Sequence, residues 1–358
     1  MQQKMPYCRM QNDYISARIN IMTQPDAFSA NWPVIGHNWA IDQLRRALQF
    51  ERIRHAYLIT GTASIGKTTL AWALATALNC QGETPPCGQC RSCKLMAAGS
   101  HSDVVMVEAE QVGGTLKIEQ VRDLQYGLAL RPYEGRFKVA ILRRFHEANH
   151  AAQNALLKTL EEPSSQVVLI LTAEHGDLLL PTIVSRCQVL NLRPLGLEET
   201  ETALRNYWTV EPEQATLLAR LSGGRIGWAI RSITDTTELD LRHESVNALE
   251  QAITGTRYER FQLAEDLAKD KPTLLTVLDI WQTYWRDVLL ATTGSQAALV
   301  NIDHESAILQ IASVIVPEDA QRALEATRRA VTQLGQNANT RLCIEVLLLD
   351  YPFVKPFQ

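Results

Sequence analysis

Residues 61 to 69 read GTASIGKTT, which has the GxxxxGK[ST] spacing of a loop that wraps phosphate. In such a loop, successive backbone N–H groups and the N-terminus of the next helix surround phosphate oxygens. A lysine reaches the β and γ phosphates, and a hydroxyl binds Mg²⁺. Lys67 and Thr68 suit those two roles, and Gly61, Thr62, Ala63, Ser64, Ile65, Gly66 and Thr69 complete the candidate site for ATP and Mg²⁺. Holding a nucleotide and cleaving it are separate matters. Phosphoryl transfer also needs a second strand that ends in carboxylates, one to hold the metal and one to orient the attacking water. The strand expected to carry them, KVAIL at 138 to 142, is followed instead by Arg143, Arg144 and Phe145. The nearest carboxylate, Glu147, lies too far along the chain to substitute well.

A second constellation is Cys80, Cys87, Cys90 and Cys93, spaced C-x6-C-x2-C-x2-C on a stretch that contains Pro85, Pro86 and Gly88. Four thiolates at short spacings suit tetrahedral Zn²⁺, and an iron–sulfur cluster uses similar ligands. A closed four-sulfur site is structural: it leaves no open position for metal catalysis and serves to cross-link a loop with little core of its own. In a reducing compartment such a cluster reads as a metal site rather than as disulfides. The other three of the seven cysteines, Cys8, Cys187 and Cys343, are scattered.

The elements that must position these groups follow from the apolar pattern. HAYLIT (55 to 60) ends at Gly61, and TTLAWALATAL after Lys67 has helical spacing, so the loop joins a strand to a helix. DVVMVEA (103 to 109), FKVAIL (137 to 142) and QVVLILTA (166 to 173) are continuous and β-branched, as strands buried on both faces must be. With helices between them, the expected fold is an α/β P-loop domain on a parallel sheet, with its ligand at the carboxyl ends of the strands. After about residue 196 the pattern turns helical. The expected division is an irregular tail at 1–28, the P-loop domain at 29–196 with a metal-binding insertion at 80–93, a small helical lid at 197–240 and an all-α domain at 241–358. Met22 is an alternative start to Met1.

A hydrophobic share of 46% and a charged share of 21% are those of an ordinary globular protein. No apolar run approaches the roughly 20 residues that span a bilayer, and the N-terminus lacks a secretory pattern, so a cytoplasmic protein with no membrane contact is expected. A net charge of -4 gives no general attraction to nucleic acid, so any work on DNA must go through a local patch or through partners.

VIGHNWAIDQLRRAL (34 to 48), RIRHAYLITG (52 to 61), the phosphate loop, the four cysteines, NALLKTLEEP (154 to 163), LLLPTIVSRCQ (178 to 188) and LSGGRIGWAI (221 to 230) occur in one order along the chain. In that order they resemble the bacterial clamp-loader subunits of DNA polymerase III, the AAA+ proteins called gamma/tau and delta prime. NANTRLCIEVLLLD (337 to 350) resembles the close of the family's helical collar, and in length the chain is similar to delta prime. The resemblance implies a place in a heteropentamer with gamma/tau and delta that opens a sliding clamp and sets it on primed DNA. It also implies that Arg186, in SRC, reaches the nucleotide of a neighbouring subunit, a role that suits a permanently charged fork. The alternative for Arg186 is a structural arginine that caps a turn. Thr172 matches the family's polar sensor near the γ phosphate, although a threonine that satisfies a local hydrogen bond reads equally from sequence.

Three departures from the family pattern bear on catalysis. Arg143 and Arg144 replace the Asp-Glu pair after the second strand; if Arg143 faced the loop, it would neutralise phosphate without metal. Ser64 stands where glycine is usual, and glycine permits φ angles that serine resists. Gly227 takes the place of the lid arginine that senses nucleotide. The expected role is therefore a delta-prime-like subunit that has lost hydrolysis, with a gamma-like ATP-hydrolysing motor as the alternative. Lys158, Glu161 and Glu162 read as solvated or interface charges, and Trp32, Trp39, Trp72 and Trp228 as packing residues. No stripe of basic and aromatic residues marks a DNA-binding surface of its own.

Overall fold

Each apolar run expected as a strand forms one in the computed structural model, which describes residues 32–336 and 338–354, but only three of the four are buried on both faces: DVVMVEA forms an edge strand in which Val105 is 41% exposed. The expected tail and the alternative start at Met22 lie outside the described residues. In the first part of the chain the elements run α1 (Asn38–Gln49), β1 (Ala56–Thr60), α2 (Lys67–Leu78), α3 (Arg91–Ala97), β2 (Val104–Val107), α4 (Ile118–Leu128) and β3 (Lys138–Leu142). They continue with α5 (His150–Glu161), β4 (Val167–Ala173), α6 (Pro181–Val184), β5 (Gln188–Asn191) and α7 (Leu197–Trp208). The sheet has five strands in the order β2-β3-β4-β1-β5, and every pair is parallel. The fifth strand, β5, is a finding that the sequence reading lacked. It is a short edge strand in which only Leu190 is buried, so it carries no continuous apolar run.

Alternation along the strands feeds two cores. Tyr57 and Ile59 of β1, Val139 and Ile141 of β3, and Val168 and Ile170 of β4 pack on one face with α1 and α2. Ala56 and Leu58, Ala140 and Leu142, and Leu169 and Leu171 pack on the other with α4 and α5. Full burial of a large apolar side chain contributes about 1.5–3 kcal/mol, so the strands are held from both sides. α2 is buried along most of its length, and its small residues Ala71, Ala73, Ala75 and Ala77 let it lie close to the sheet. Of the expected packing tryptophans, Trp32 and Trp72 are buried, whereas Trp39 is 49% exposed.

By internal packing the chain forms two units, residues 32–209 with 224–228, and residues 210–223 with 229–354. The second unit contains α8 (Pro212–Ser222), most of α9 (Ile226–Thr234), α10 (Thr237–Thr254), α11 (Arg257–Leu267), α12 (Lys271–Thr292), α13 (Glu305–Val314), α14 (Pro317–Gly335) and α15 (Thr340–Asp350). Trp281, Tyr284, Trp285 and Tyr351 anchor its core. The buried Arg260 is satisfied by backbone carbonyls, donating to Leu348 O at 2.7 Å and Tyr351 O at 3.0 Å. No helix among the described residues is long and apolar enough to cross a membrane.

Candidate functional site

The phosphate loop leaves the carboxyl end of β1, which lies between β4 and β5, and runs into the N-terminus of α2. Gly61 and Gly66 have φ of 140° and 107°, values open to glycine and strained for other residues. A Cβ on Gly61 would stand 2.7 Å from Leu192 O, so close backbone approach also requires glycine there. Ser64 takes φ of 61°, so the residue in glycine's usual place adopts the left-handed backbone anyway. Its carbonyl accepts a hydrogen bond from Gly227 N at 2.8 Å, and the neighbouring Ile65 O accepts one from His37 Nε2 at 3.1 Å. Burial lowers the His37 pKa, which keeps that ring a neutral donor.

Lys67, 8% exposed, donates to the carbonyls of Gly61 and Thr62, so its ammonium is satisfied by its own loop. Burial lowers its pKa to about 8, with the negative charge of Glu174 opposing the shift. Gly61 N in turn donates to Glu174 O at 3.0 Å, tying the loop to the end of β4.

Where a hydrolytic site would have its carboxylates, the end of β3 carries an ion-pair cluster. Arg143 Nη1 lies 3.0 Å, and Arg144 Nη1 2.8 Å, from Glu108 Oε2, while Arg144 Nε lies 2.9 Å from Glu147 Oε1. Glu147 also accepts from Gly113 N at 2.9 Å, so this carboxylate is committed. The two guanidinium groups are thus paired with neighbouring carboxylates, Arg143 with Glu108 and Arg144 with Glu108 and Glu147. The residues present do not fit a Mg²⁺ site of the hydrolytic kind: the end of β3 carries two ion-paired cations where such a site needs a carboxylate. Arg144 has φ of 46°, and its backbone N–H donates to Thr172 Oγ1 at 3.0 Å. Thr172 is 1% exposed at the end of β4. His146, in the short 3-10 turn Phe145–Glu147, has its pKa lowered by burial with Glu174 opposing, and its Nδ1 has no hydrogen-bond partner among the described residues.

Arg186 lies between α6 and β5, with its side chain 35% exposed. Its Nη1 donates to Thr182 O at 2.9 Å, and its Nη2 to Glu161 Oε1 at 2.8 Å. The sequence reading took Glu161 for a solvated or interface charge and gave Glu108 no role. Each sits at the end of an element, and its arginine is 25 or more positions away in the chain. Burial pushes the Cys187 thiol up to about 12, which makes it inert.

Cys80, Cys87, Cys90 and Cys93 are all free thiols, with their sulfurs within 4.8 Å of one another. Cys87 Sγ and Cys93 Sγ lie 3.9 Å apart. Four sulfurs at about 2.3 Å from a tetrahedral Zn²⁺ would stand about 3.8 Å from each other, so the cluster could close on such an ion with sulfur shifts of about 1 Å or less. Backbone N–H groups of Gly82 and Cys87 donate to Cys80 Sγ, each at 3.3 Å, and Cys90 N donates to Cys87 Sγ at 3.3 Å; these bonds favour thiolates, although burial outweighs them and raises the pKa at Cys80, and burial raises it at Cys93. Burial opposes ionisation of Cys87, yet the N–H groups of Cys90 and Gln89 bring its pKa down to about 6.

A family model described as DNA polymerase III, delta subunit, matches residues 36–196, and one described as DNA polymerase III, delta subunit, C terminal, matches residues 237–351. The chain is 29% identical over 317 residues to DNA polymerase III subunit delta' of Bacillus subtilis, an alignment that covers 86% of this chain and 93% of the relative. It is 44% identical over 175 residues to subunit delta' of Pseudomonas aeruginosa, covering 48% and 53% of the two chains. To subunit tau of Escherichia coli it is 36% identical over 209 residues, which cover 56% of this chain and 32% of the relative, so the chain spans about a third of the length of that protein. The two family models follow each other in order along a parallel-sheet P-loop domain and a helical region, and the chain belongs to the clamp-loader subunits of DNA polymerase III, of the delta' or gamma/tau kind.

Proposed function

We propose that this chain is a delta-prime-like member of the clamp loader, one that does not hydrolyse ATP and supplies Arg186 to the nucleotide of a neighbouring subunit. The observation that carries the reading is the cluster of Arg143 and Arg144 with Glu108 and Glu147 in place of the catalytic carboxylates. A water attacking a γ phosphate would find the carboxylates there already paired with Arg143 and Arg144. Two further features support it. Gly227 brings a backbone N–H, rather than a guanidinium, to the phosphate loop, and Lys67 is turned onto Gly61 and Thr62. Any nucleotide held by Gly61 to Thr69 would first have to draw Lys67 away from those carbonyls.

The partners of this role are gamma/tau and delta subunits in a heteropentamer, and through them a sliding clamp and primed DNA, in the cytoplasm. Zn²⁺ held by Cys80, Cys87, Cys90 and Cys93 has a structural part, closing the 80–93 segment. Arg186 suits its part because a guanidinium stays charged at any working pH and offers a planar fork to phosphate oxygens.

The test is ATP turnover by the isolated chain and by the reconstituted loader. The expected result is no Mg²⁺-dependent hydrolysis by the chain alone and a loss of turnover in a loader that carries Arg186→Ala. Hydrolysis by the isolated chain that vanishes in Lys67→Ala would instead identify a gamma-like motor.

A further inference from the structure

The guanidinium of Arg186 is gripped at two points, one in the helical turn just before it and one far away in sequence. Thr182 O, one turn back, accepts from Nη1 at 2.9 Å, and Glu161 Oε1, at the end of α5, accepts from Nη2 at 2.8 Å. The side chain remains 35% exposed, so it is oriented without being buried.

Glu161 is poorly explained by stability. It is the last residue of α5, where a carboxylate opposes the helix dipole instead of complementing it. Its own side chain is 50% exposed, and exposed ion pairs add little to folding because water screens them and two long side chains must be ordered. What the pair does accomplish is to select one direction for an arginine that has many rotamers. An unrestrained guanidinium would lose that freedom only when it met its target, at a cost in entropy.

We infer that Glu161 is the positioning residue that aims Arg186 at the phosphates of a neighbouring subunit. The inference rests on the trans role proposed above for Arg186. The pair is open to solvent, so a phosphate with several charged oxygens competes readily with a single carboxylate oxygen. The guanidinium therefore meets its target already oriented, and the fit of charged groups in the transition state is sensitive to such orientation.

The experiment uses the reconstituted loader with ATP as substrate and compares Glu161→Ala, Glu161→Gln, Arg186→Ala and the double variant Glu161→Ala/Arg186→Ala in this chain. Glu161→Ala is expected to lower maximal turnover about fivefold to tenfold and to leave KM for ATP within about twofold. Glu161→Gln, which keeps an acceptor for Nη2, is expected to restore most of the rate. The double variant is expected to match Arg186→Ala, because Glu161 acts only through the arginine. Wild-type turnover in Glu161→Ala, with slow turnover in Arg186→Ala, would overturn the positioning role and leave the trans role standing. Wild-type turnover in Arg186→Ala would remove the reading beneath it. A double variant slower than Arg186→Ala, or a Glu161→Ala chain that does not assemble, would assign Glu161 a general structural role and overturn the inference.

Discussion

The backbone N–H of Arg144 donates to Thr172 Oγ1 across the adjacent ends of β3 and β4, at 3.0 Å. The hydroxyl that the family resemblance would make a phosphate sensor is therefore an acceptor for the residue that the same resemblance aligns with a catalytic carboxylate. That bond also helps to hold Arg144 at φ of 46°, a left-handed conformation in which its side chain reaches both Glu108 and Glu147.

Thr172→Val keeps the shape of the side chain and removes the acceptor. The Arg144 N–H is then left without its partner at a partly buried site, a loss of about 1–2 kcal/mol. Denaturant unfolding should register that loss, while ATP turnover by the isolated chain stays at baseline before and after the change. Unaltered stability would mean that the hydroxyl does not hold this strand end together.

The amino-acid sequence made the large features legible because each is local. The phosphate loop, the continuous apolar strands and the cysteine cluster are all read within a few tens of residues. What escaped depends on groups brought together from afar. Glu108 meets Arg143 and Arg144 only because β2 and β3 are neighbours, and Glu161 meets Arg186 only because α5 ends beside α6. β5 was missed because a short edge strand needs little apolar character, and Gly227 was legible as a lost arginine but not as a contact.

The titration of Lys67 gives a pH signature. Its pKa falls from 10.5 to about 8 in the folded chain, with burial as the cause, so between those values the unfolded chain binds more protons than the folded one. Stability contributed by this group therefore rises with pH through that window, and the penalty for burying the ammonium is in full force below about pH 8. Lys67→Met removes the titrating group. The stability of the wild type relative to this variant should increase between about pH 8 and 10.5 in denaturant titrations. Parallel pH dependences in the two proteins would contradict the buried, loop-bonded lysine.

The sulfur cluster should hold about one zinc ion per chain, measurable by elemental analysis of the purified protein. Cys90→Ser, which replaces a strong ligand by a weak one, should abolish stoichiometric zinc and lower Tm by roughly 5 °C, with new proteolytic cleavage confined to the 80–97 segment. The rest of the P-loop domain has its own cores on both faces of the sheet, so the remaining chain should stay folded. Iron with sulfide in the purified protein would replace zinc by a cluster on the same ligands.

Gly227 tests whether the nucleotide-sensing position has been lost or rebuilt. Its N–H meets Ser64 O at 2.8 Å, and a Cβ at this position would stand 2.7 Å from that same oxygen and 3.4 Å from its carbon. Both partners are backbone, so neither can swing away as a flexible side chain would, and Ser64 is already in a left-handed conformation. Gly227→Ala should therefore push the phosphate loop from its place and destabilise the chain by about 1–3 kcal/mol. The loss should be seen as a lower denaturation midpoint and as faster amide exchange at 62–66. Gly227→Arg, which restores the side chain found in active relatives of the resembled family, carries the same Cβ and should show the same loss without gaining ATP turnover, because Arg143 and Arg144 still occupy the carboxylate positions. A Gly227→Arg chain that is stable and hydrolyses ATP would show that the glycine contact is incidental and the loop competent.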